Sequence, residues 1–325
     1  MQPTISLLAL LTLTLGFGLI GPWGERLAPA ALAQVSPAQA PALGKKGSPA
    51  QAATQVTLSP GGIVFTEGDW VYYLAPPGNQ PRRLVQGHQP ALSPDGKKLA
   101  YGLGRKDRGG VFGLMVLDLA TGQTATLLPP LPQRTDGPSW SPRGDLLAFI
   151  YNLKEINIIR ADGSGRQKIF SLPNGSHQPP QWAPDGKSLV VNDFFHLFQI
   201  DLAGQELAKT PITTFTGELA VSSSDRFVLN PQNPQLWAFT MEVQGTSGIT
   251  DALFLFDTRT QKRTRLTAPK MIASFPCWSR DGQYLYFFGS RGPLYQEREY
   301  PTRFYRINLD GTGLTELWKE ENLSQ

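Results

Sequence analysis

Residues 92–101 read LSPDGKKLAY, a tight turn followed by an apolar segment. Proline sets φ for the turn, aspartate hydrogen-bonds nearby backbone, and glycine accepts a positive φ, so this segment predicts a turn that leads into a β-strand. The same turn recurs along the chain, each time beginning with Leu or Trp. The copies are Leu58–Gly62, Leu92–Gly96, Trp140–Gly144, Trp182–Gly186, Leu229–Asn233 and Trp278–Gly282.

The spacing of the six copies, 34 to 49 residues, is typical of propellers and other repeat arrays. The 33 Gly and 28 Pro residues, together with only 17% charged residues, favour short strands and turns over helices. The sequence therefore predicts an all-β fold, a six-bladed β-propeller with four antiparallel strands per blade. A pair of β-sandwiches is the alternative, but it would not explain the period.

A single blade cannot bury both of its faces, so neighbouring blades must pack against one another. We expect the tryptophans of the turn motif to lie between blades, and the Asp and Gly residues to shape the turns. The predicted structural residues are Trp140, Trp182, Trp278, Asp95, Gly96, Asp185, Gly186, Asp281 and Gly282. Replacing Trp182 with Ala should leave a cavity that costs about 3–5 kcal/mol.

The first 33 residues have the features of an export signal. Residues 5–20 form an apolar run that is shorter than the roughly 20 residues of a membrane-spanning helix. Ala31-Leu32-Ala33 then gives a small-x-small cleavage pattern. We interpret residues 1–33 as a signal peptide, with an uncleaved membrane anchor as the alternative. Residues 34–53 are rich in Ala, Pro and Gln and predict a flexible linker, and the propeller is expected over residues 54–325.

The turn, the strand of the form K-x-(L/I)-A-(F/Y) after it and the apolar strand that ends in Asp-Leu resemble the TolB-type β-propeller repeat. The resemblance covers residues 54–325 and implies the fold more than the function. Proteins of this type in the Tol–Pal envelope system carry an α/β domain before the propeller. Because only the linker precedes the first turn here, we expect an exported propeller without that domain. Export would place it in the periplasm or the extracellular space, with the thylakoid lumen as a further option.

Composition and motifs exclude several kinds of chemistry. A net charge of +4 without a dense basic stripe predicts no nucleic-acid partner. One cysteine and three histidines exclude a Cys-rich metal site and leave little for a multi-His centre. The sequence contains no G-x-S-x-G elbow, P-loop or H-E-x-x-H motif. We predict no cofactor, no metal ligand and no catalytic residue, and we expect Cys277 to be a small buried apolar side chain.

Strand direction predicts where a binding site would lie. The repeated turns lie on one face, here called the turn face. The connections between second and third strands lie on the opposite face, the loop face, together with the start of each first strand. The positions five residues before the second residue of each motif are all polar, and His177 adjoins one of them. These ring positions are Thr54, His88, Asp136, Gln178, Asp225 and Ser274.

His88, Asp136, His177, Gln178 and Asp225 are therefore predicted to bind a ligand or partner at the channel mouth, although a solvated lip is the alternative. The long connections at residues 104–110, 244–250 and 289–302 open on the same face. Tyr and Arg are favoured contact residues in interfaces. The predicted loop contacts are Arg105, Tyr295, Arg298 and Tyr300.

Two functions fit this pattern. The first is an exported, non-catalytic propeller that binds a protein or a cell-envelope polymer through its loop face and channel mouth. The alternative is a polysaccharide-acting channel enzyme that uses the His/Gln/Asp ring. His-Gln-Pro at residues 88–90 and 177–179 resembles propeller polysaccharide lyases that hold a metal with His and Gln. The first function is favoured, for a monomer with no membrane span after signal cleavage.

The mature protein should begin near Gln34, because the Ala31-Leu32-Ala33 pattern follows an apolar run of signal-peptide length. N-terminal sequencing of the exported form measures this directly. Recovery of intact Met1 in a membrane fraction would instead make the segment an anchor.

Overall fold

The computed structural model describes residues 56–59, 62–74, 81–105, 111–176, 178–217, 226–245, 248–291 and 303–319. Six four-stranded antiparallel sheets follow one another along the chain, and each uses four consecutive strands. Blade 1 contains β1 (Val56–Ser59), β2 (Gly62–Glu67), β3 (Trp70–Leu74) and β4 (Arg82–Gln86). Blade 2 contains β5 (His88–Leu92), β6 (Lys98–Arg105), β7 (Val111–Asp118) and β8 (Thr124–Leu131). Blade 3 contains β9 (Thr135–Trp140), β10 (Leu146–Tyr151), β11 (Glu155–Arg160) and β12 (Gln167–Ser171).

The remaining blades keep the same order. Blade 4 contains β13 (Gln181–Trp182), β14 (Ser188–Asn192), β15 (His196–Asp201) and β16 (Glu206–Pro211). A short helix, α1 (Thr213–Thr216), follows it. Blade 5 contains β17 (Phe227–Leu229), β18 (Leu236–Gly245), β19 (Gly248–Asp257) and β20 (Lys262–Arg265). Blade 6 contains β21 (Met271–Trp278), β22 (Tyr284–Arg291), β23 (Arg303–Asn308) and β24 (Thr315–Lys319). The predicted six-bladed, four-stranded propeller is confirmed.

The repeated turn is held by its serine. In blade 2, the backbone N–H of Gly96 donates to the carbonyl of Ser93 at 2.8 Å, and Gly96 takes a φ of +72°. The Ser93 hydroxyl donates to Asp95 at 2.6 Å and accepts the N–H of Lys98 at 2.9 Å. The hydrogen bond from Ser93 lowers the pKa of Asp95. A single hydroxyl thus connects both sides of the turn.

The cores lie between blades, as the repeat pattern requires. Six clusters of buried apolar side chains occur, and each contains residues from two adjacent blades. The contact of blade 6 with blade 1 closes the ring. There Phe65 meets Phe288 edge to face at 5.6 Å, and Phe288 lies 5.1 Å from Phe304. Because every blade consists of four consecutive strands, side-chain packing closes the ring, and no described strand is exchanged between blades 6 and 1.

Tryptophans of the turn motif bond adjacent inner strands to each other. The indole N–H of Trp140 donates to the carbonyl of Ala91 at 2.9 Å, and Trp182 bonds the carbonyl of Ser139 in the same way at 3.1 Å. In blade 6, Trp278 donates to the carbonyl of Val228 at 3.0 Å. In each pair the acceptor residue stands two positions before the second residue of the preceding motif. Each indole N–H therefore satisfies a backbone carbonyl that points away from the blade to which the carbonyl belongs.

Blade 5 has Leu229 where three other blades have the motif tryptophan. Phe215, from α1, is buried at this boundary between blades 4 and 5. Its ring lies 5.8 Å from Phe227, 5.4 Å from Trp237 and 5.0 Å from Phe256. The aromatic volume that the motif position lacks is therefore supplied by the connection between the two blades.

Four inner strands carry a proline three residues before the second residue of the turn motif. These are Pro90, Pro138, Pro180 and Pro276. In three of these strands the preceding residue has a positive φ: Gln89 at +49°, Gly137 at +59° and Phe275 at +51°. Pairing to the second strand shifts register at the same three places. Each is a β-bulge, which re-aims the side chains on its loop-face side.

The burial of a motif tryptophan determines how much stability the protein loses when that side chain is removed. Trp140 is 8% exposed, so we expect Trp140→Ala to lower the free energy of unfolding by about 3–5 kcal/mol. Trp182 is only half-buried, so Trp182→Ala should cost less than Trp140→Ala. Phe195→Ala is the matched control, because Phe195 is 62% exposed. Chemical denaturation measures all three, and an unchanged midpoint for Trp140→Ala would contradict the packing between blades.

Candidate functional site

A cavity of about 670 Å³ lies among the inner strands of blades 3, 4, 5 and 6, in the central channel of the propeller. Its lining is rich in proline, namely Pro94, Pro142, Pro179, Pro180, Pro184, Pro231 and Pro276. Trp140 and Trp278 also border it, but each is 8% exposed, so little of either indole is accessible. None of the described residues that line the cavity is Asp or Glu. This volume is in the range of ligand-binding sites.

The loop-face end of the cavity combines a cation with an aromatic ring. Arg226, immediately before β17, places its guanidinium carbon 5.3 Å from the centroid of the Phe275 ring on β21. Phe275 is the bulge residue of blade 6, and its positive φ costs about 1–3 kcal/mol. Gln178 of blade 4 lies at the same end and is buried. Guanidinium and amide groups therefore line this end of the cavity.

The wall between blades 4 and 5 is held by glutamine side chains. The Oε1 atom of Gln181 accepts the N–H of Leu229 at 3.0 Å, while its amide nitrogen donates to the carbonyl of Phe227. The Oε1 atom of Gln178 accepts the N–H of Phe227 at 3.4 Å. One amide thus bonds two backbone groups at the boundary where the motif tryptophan is absent. Because of these contacts, the backbone hydrogen-bonding groups of β17 are satisfied on the side that faces the channel.

Cys277 and Tyr286 are cross-strand neighbours on β21 and β22, and both line the cavity. Burial raises the pKa of the Cys277 thiol and also raises the pKa of Tyr286. Both side chains are therefore neutral near pH 7. Because the thiolate is the reactive form, a thiol with a raised pKa is a poor nucleophile. This part of the wall offers polar contact but no activated attacking group.

A second polar cluster lies at the boundary between blades 2 and 3. Asp136 is 1% exposed and forms an ion pair with Arg134 through one carboxylate oxygen. Its other oxygen, Oδ1, is buried and has no hydrogen-bond partner among the described residues. The imidazole of His88 packs on the backbone of β6. A Cβ atom at Gly102 would lie 2.3 Å from the ring, and one at Gly104 would lie 2.7 Å from it.

Burial is the largest cause of the lowered pKa of His88. Asp136 and Asp69 act in the opposite direction, and Arg134 lowers the pKa further. The imidazole is consequently neutral at pH 7. The burial of Asp136 keeps its carboxyl group away from the open channel. The cluster therefore lacks the open access that a catalytic acid–base pair needs.

Of the predicted contact residues, the structure describes the side chains of three, His88, Asp136 and Gln178, and only Gln178 lines the cavity. His88 and Asp136 do not line it, and each is followed by a bulge residue, Gln89 and Gly137 respectively. The others lie outside the described side chains, and their roles stay predictions: Arg105, His177, Asp225, Tyr295, Arg298 and Tyr300.

Sequence reasoning missed Arg134, Gln181 and Phe275. The proline three residues before the second motif residue was the available signal for Phe275, because proline cannot donate to a strand ladder and often accompanies a bulge. Arg134 and Gln181 act through contacts with another residue or blade, for which the repeat pattern gives no signal.

Within the described ranges, no three His, Cys, Asp or Glu side chains are close enough to hold a metal ion. The described residues also include no helix of the length and apolar character that crossing a bilayer requires.

Solved structures share the fold. The chain superposes on TolB from Acinetobacter baumannii with a TM-score of 0.57 and 17% identity, over 74% of this chain and 57% of that one. It superposes on an oligogalacturonate lyase in complex with manganese with a TM-score of 0.52 and 15% identity, over 81% and 78%. At these identities the likeness shows the fold alone, and the fold is a TolB-like β-propeller.

In sequence, the chain is 24% identical over 212 residues to the uncharacterized peptidase YuxL of Bacillus subtilis (strain 168). This match covers 63% of this chain and spans only 29% of the relative. No family model matches the chain.

The lowered pKa of His88 predicts a pH dependence of stability. The unfolded chain binds a proton near pH 6.5, while folded His88 resists it, so the free energy of unfolding should fall as the pH drops below about 6.5. His88→Gln should flatten this dependence, and above neutral pH it should leave the slope unchanged. Urea denaturation between about pH 5 and 8 measures both slopes. Equal slopes for the two proteins throughout this range would show that His88 protonates as readily when folded as when unfolded.

Proposed function

We propose that this protein is an exported, non-catalytic β-propeller that binds an extended segment of a protein or cell-envelope polymer in its central channel. The observation that carries the proposal is the cavity of about 670 Å³ within a rigid ring of inner strands. Its wall combines proline and aromatic surface with a small number of amide and guanidinium groups, which is typical of binding sites.

Hydrogen bonds between blades hold the inner strands where the ligand would lie. The indoles of Trp182 and Trp278 each bond an adjacent inner strand, and Gln181 does the same between blades 4 and 5. A preformed wall loses little conformational entropy when a ligand enters it. The loop-face residues predicted from sequence, including Tyr295 and Tyr300, would extend the contact beyond the channel mouth.

Several features argue for binding rather than chemistry. The cavity wall contains no described carboxylate, and the thiol of Cys277 has a raised pKa. The described acid–base cluster, Asp136 and His88, does not line the cavity. Export itself remains a proposal that is based on the signal-like residues 1–33.

A polysaccharide-acting channel enzyme is the second candidate, and one observation favours it. The Oδ1 atom of Asp136 is buried without a partner beside a neutral imidazole, which leaves an acceptor for a substrate proton or hydroxyl. The reaction would require rearrangement of the ring positions, since Asp136 is 1% exposed. A screen of uronate and glycan substrates, with and without divalent metal, tests this candidate through product formation. His88→Ala should abolish any activity found.

The single cysteine of the chain makes the channel function testable, because Cys277 lines the cavity. Because burial raises the pKa of this thiol, its alkylation with a bulky maleimide should be slow, but once complete it should fill the channel. We expect it to weaken capture of the partner from an envelope extract by at least about tenfold, or about 1.4 kcal/mol. Intact mass measures the extent of alkylation, and thermal unfolding shows whether the blades stay folded.

Cys277→Ser is the matched control, because it keeps the channel but cannot be alkylated. It should capture the partner equally well before and after maleimide treatment. If the native thiol reacts too slowly, Gln232→Cys in the Cys277→Ser background moves the block to an exposed lining residue. Undiminished capture by fully alkylated protein would place the binding site outside the channel.

A further inference from the structure

The connection that follows β12 leads from blade 3 to blade 4 on the loop face. Its first part, residues 172–176, is here called the strap. The backbone N–H groups of Leu172 and Ser176 donate to the carbonyls of Lys154 and Leu153, both at 2.8 Å, in the turn between β10 and β11. The first and last residues of the strap therefore hold it to the tip of blade 3.

Two polar side chains of the strap bind the next blade. The Nδ2 atom of Asn174 donates to Oδ2 of Asp193 at 2.9 Å, and the Ser176 hydroxyl donates to Oδ1 of Asn192 at 3.0 Å. The same hydroxyl accepts the N–H of Gln178 at 3.0 Å. The strap thus joins the tips of blades 3 and 4 and leads directly to Gln178, which lines the cavity.

Asp193 depends on a neutral donor at position 174. Its side chain is 1% exposed, and its Oδ1 atom accepts the N–H groups of Phe195 and His196 at 3.2 and 2.9 Å. The Nδ1 atom of His196 lies 3.6 Å from the same oxygen. Lys154, on the other side of the strap, is exposed and forms no ion pair with Asp193 within the described ranges. The amide of Asn174 is therefore the described hydrogen-bond donor to Oδ2.

Asn174 is followed by glycine, and this Asn-Gly pair is the only one in the sequence. An asparagine side chain can cyclise onto the backbone nitrogen of the next residue, and glycine obstructs this approach least because it has no Cβ. Asn174 is exposed, so water reaches its amide. The N–H of Gly175 has no hydrogen-bond partner among the described residues, so no such bond holds the attacking nitrogen.

The fold requires both members of this labile pair. Gly175 has a φ of +78°, and a Cβ atom there would lie 2.8 Å from the carbonyl oxygen of Leu153. A larger residue would be strained and would clash with the tip of blade 3. At position 174, an aspartate would face the buried carboxylate of Asp193. Neither neighbouring contact tolerates a less reactive pair without rearrangement.

We propose that Asn174 is a site of spontaneous deamidation and that its products release the strap from blades 3 and 4. The backbone nitrogen of Gly175 gives up its proton and forms a bond to Cγ of Asn174. The Cγ–Nδ2 bond then breaks, and the amide group leaves with that proton as ammonia. Water opens the resulting succinimide at either carbonyl and gives aspartate or isoaspartate, without an oxidant or a cofactor.

Each product conflicts with a contact of the strap. Aspartate at position 174 removes the donor to Asp193 and places a second carboxylate within hydrogen-bond distance of it, so the two groups repel each other. Isoaspartate adds a methylene group to the backbone between Leu172 and Ser176, whose bonds to blade 3 fix the length of the strap. Both products should therefore loosen the boundary between blades 3 and 4.

Peptide mapping by mass spectrometry tests the site on the full-length, folded protein during incubation at mildly alkaline pH. We expect the side-chain amide of Asn174 to be converted to a carboxyl group, with release of ammonia. Asn152 is the internal control, because it is exposed at the tip of blade 3 but is followed by Leu153, so it should stay intact. Conversion at Asn174 in the urea-unfolded chain but not in the folded protein would overturn the proposed site.

The effect of the product is tested with Asn174→Asp, which reproduces the aspartate form. Asn174→Ala is the matched control, because it removes the donor without adding a charge. We expect Asn174→Asp to lower the midpoint of thermal unfolding more than Asn174→Ala does. Amide hydrogen exchange of Leu172 and Ser176 should be at least about tenfold faster in Asn174→Asp than in the wild type, since a hydrogen bond to a charged group is lost. Equal midpoints of the two variants, or unchanged exchange at both amides, would contradict the release of the strap.

Discussion

Every inner strand of this propeller pairs with its own blade along one edge and faces the channel along the other. The channel edge leaves backbone N–H and C=O groups without a strand partner, and such groups are costly when they are buried. Side chains from adjacent blades satisfy several of these groups. Indoles donate to the carbonyls of Ala91, Ser139 and Val228, and Gln181 bonds both a carbonyl and an N–H of blade 5. Prolines such as Pro90 and Pro276 have no N–H to satisfy.

The way in which these backbone groups are satisfied determines what the channel can bind. Because side chains from the adjacent blade occupy several edge groups, an entering segment gains little by adding a strand to an inner sheet edge. Recognition must come from side chains that project into the cavity, and these are mostly proline, amide and guanidinium groups. The same contacts that close the blades together therefore set the chemistry of the site.

Much of the fold could be predicted from sequence, because each repeat encodes a local turn with its own physical signature. The Ser93 hydroxyl and the positive φ of Gly96 are properties of a few adjacent residues, so the pattern reveals them. The site depends on contacts across blades. Asp136 occupies one of the polar positions that the repeat pattern singles out, but its side chain is buried against blade 2. Gln181, in blade 4, forms hydrogen bonds with blade 5, which follows it in the chain. Those contacts depend on the bulges and on blade angles, which no single repeat specifies.

Closure of the ring has a mechanical consequence. The first and last blades hold together through the packing of Phe65, Phe288 and Phe304, and among the described strands none is shared between them. A force that separates these two blades would load this aromatic contact in direct tension. Backbone hydrogen bonds of a shared strand would instead be loaded in shear, and many of them would have to break together. The boundary between blades 6 and 1 is therefore where a pulled ring should open first, and a load applied across it would widen the channel while each individual sheet stays intact.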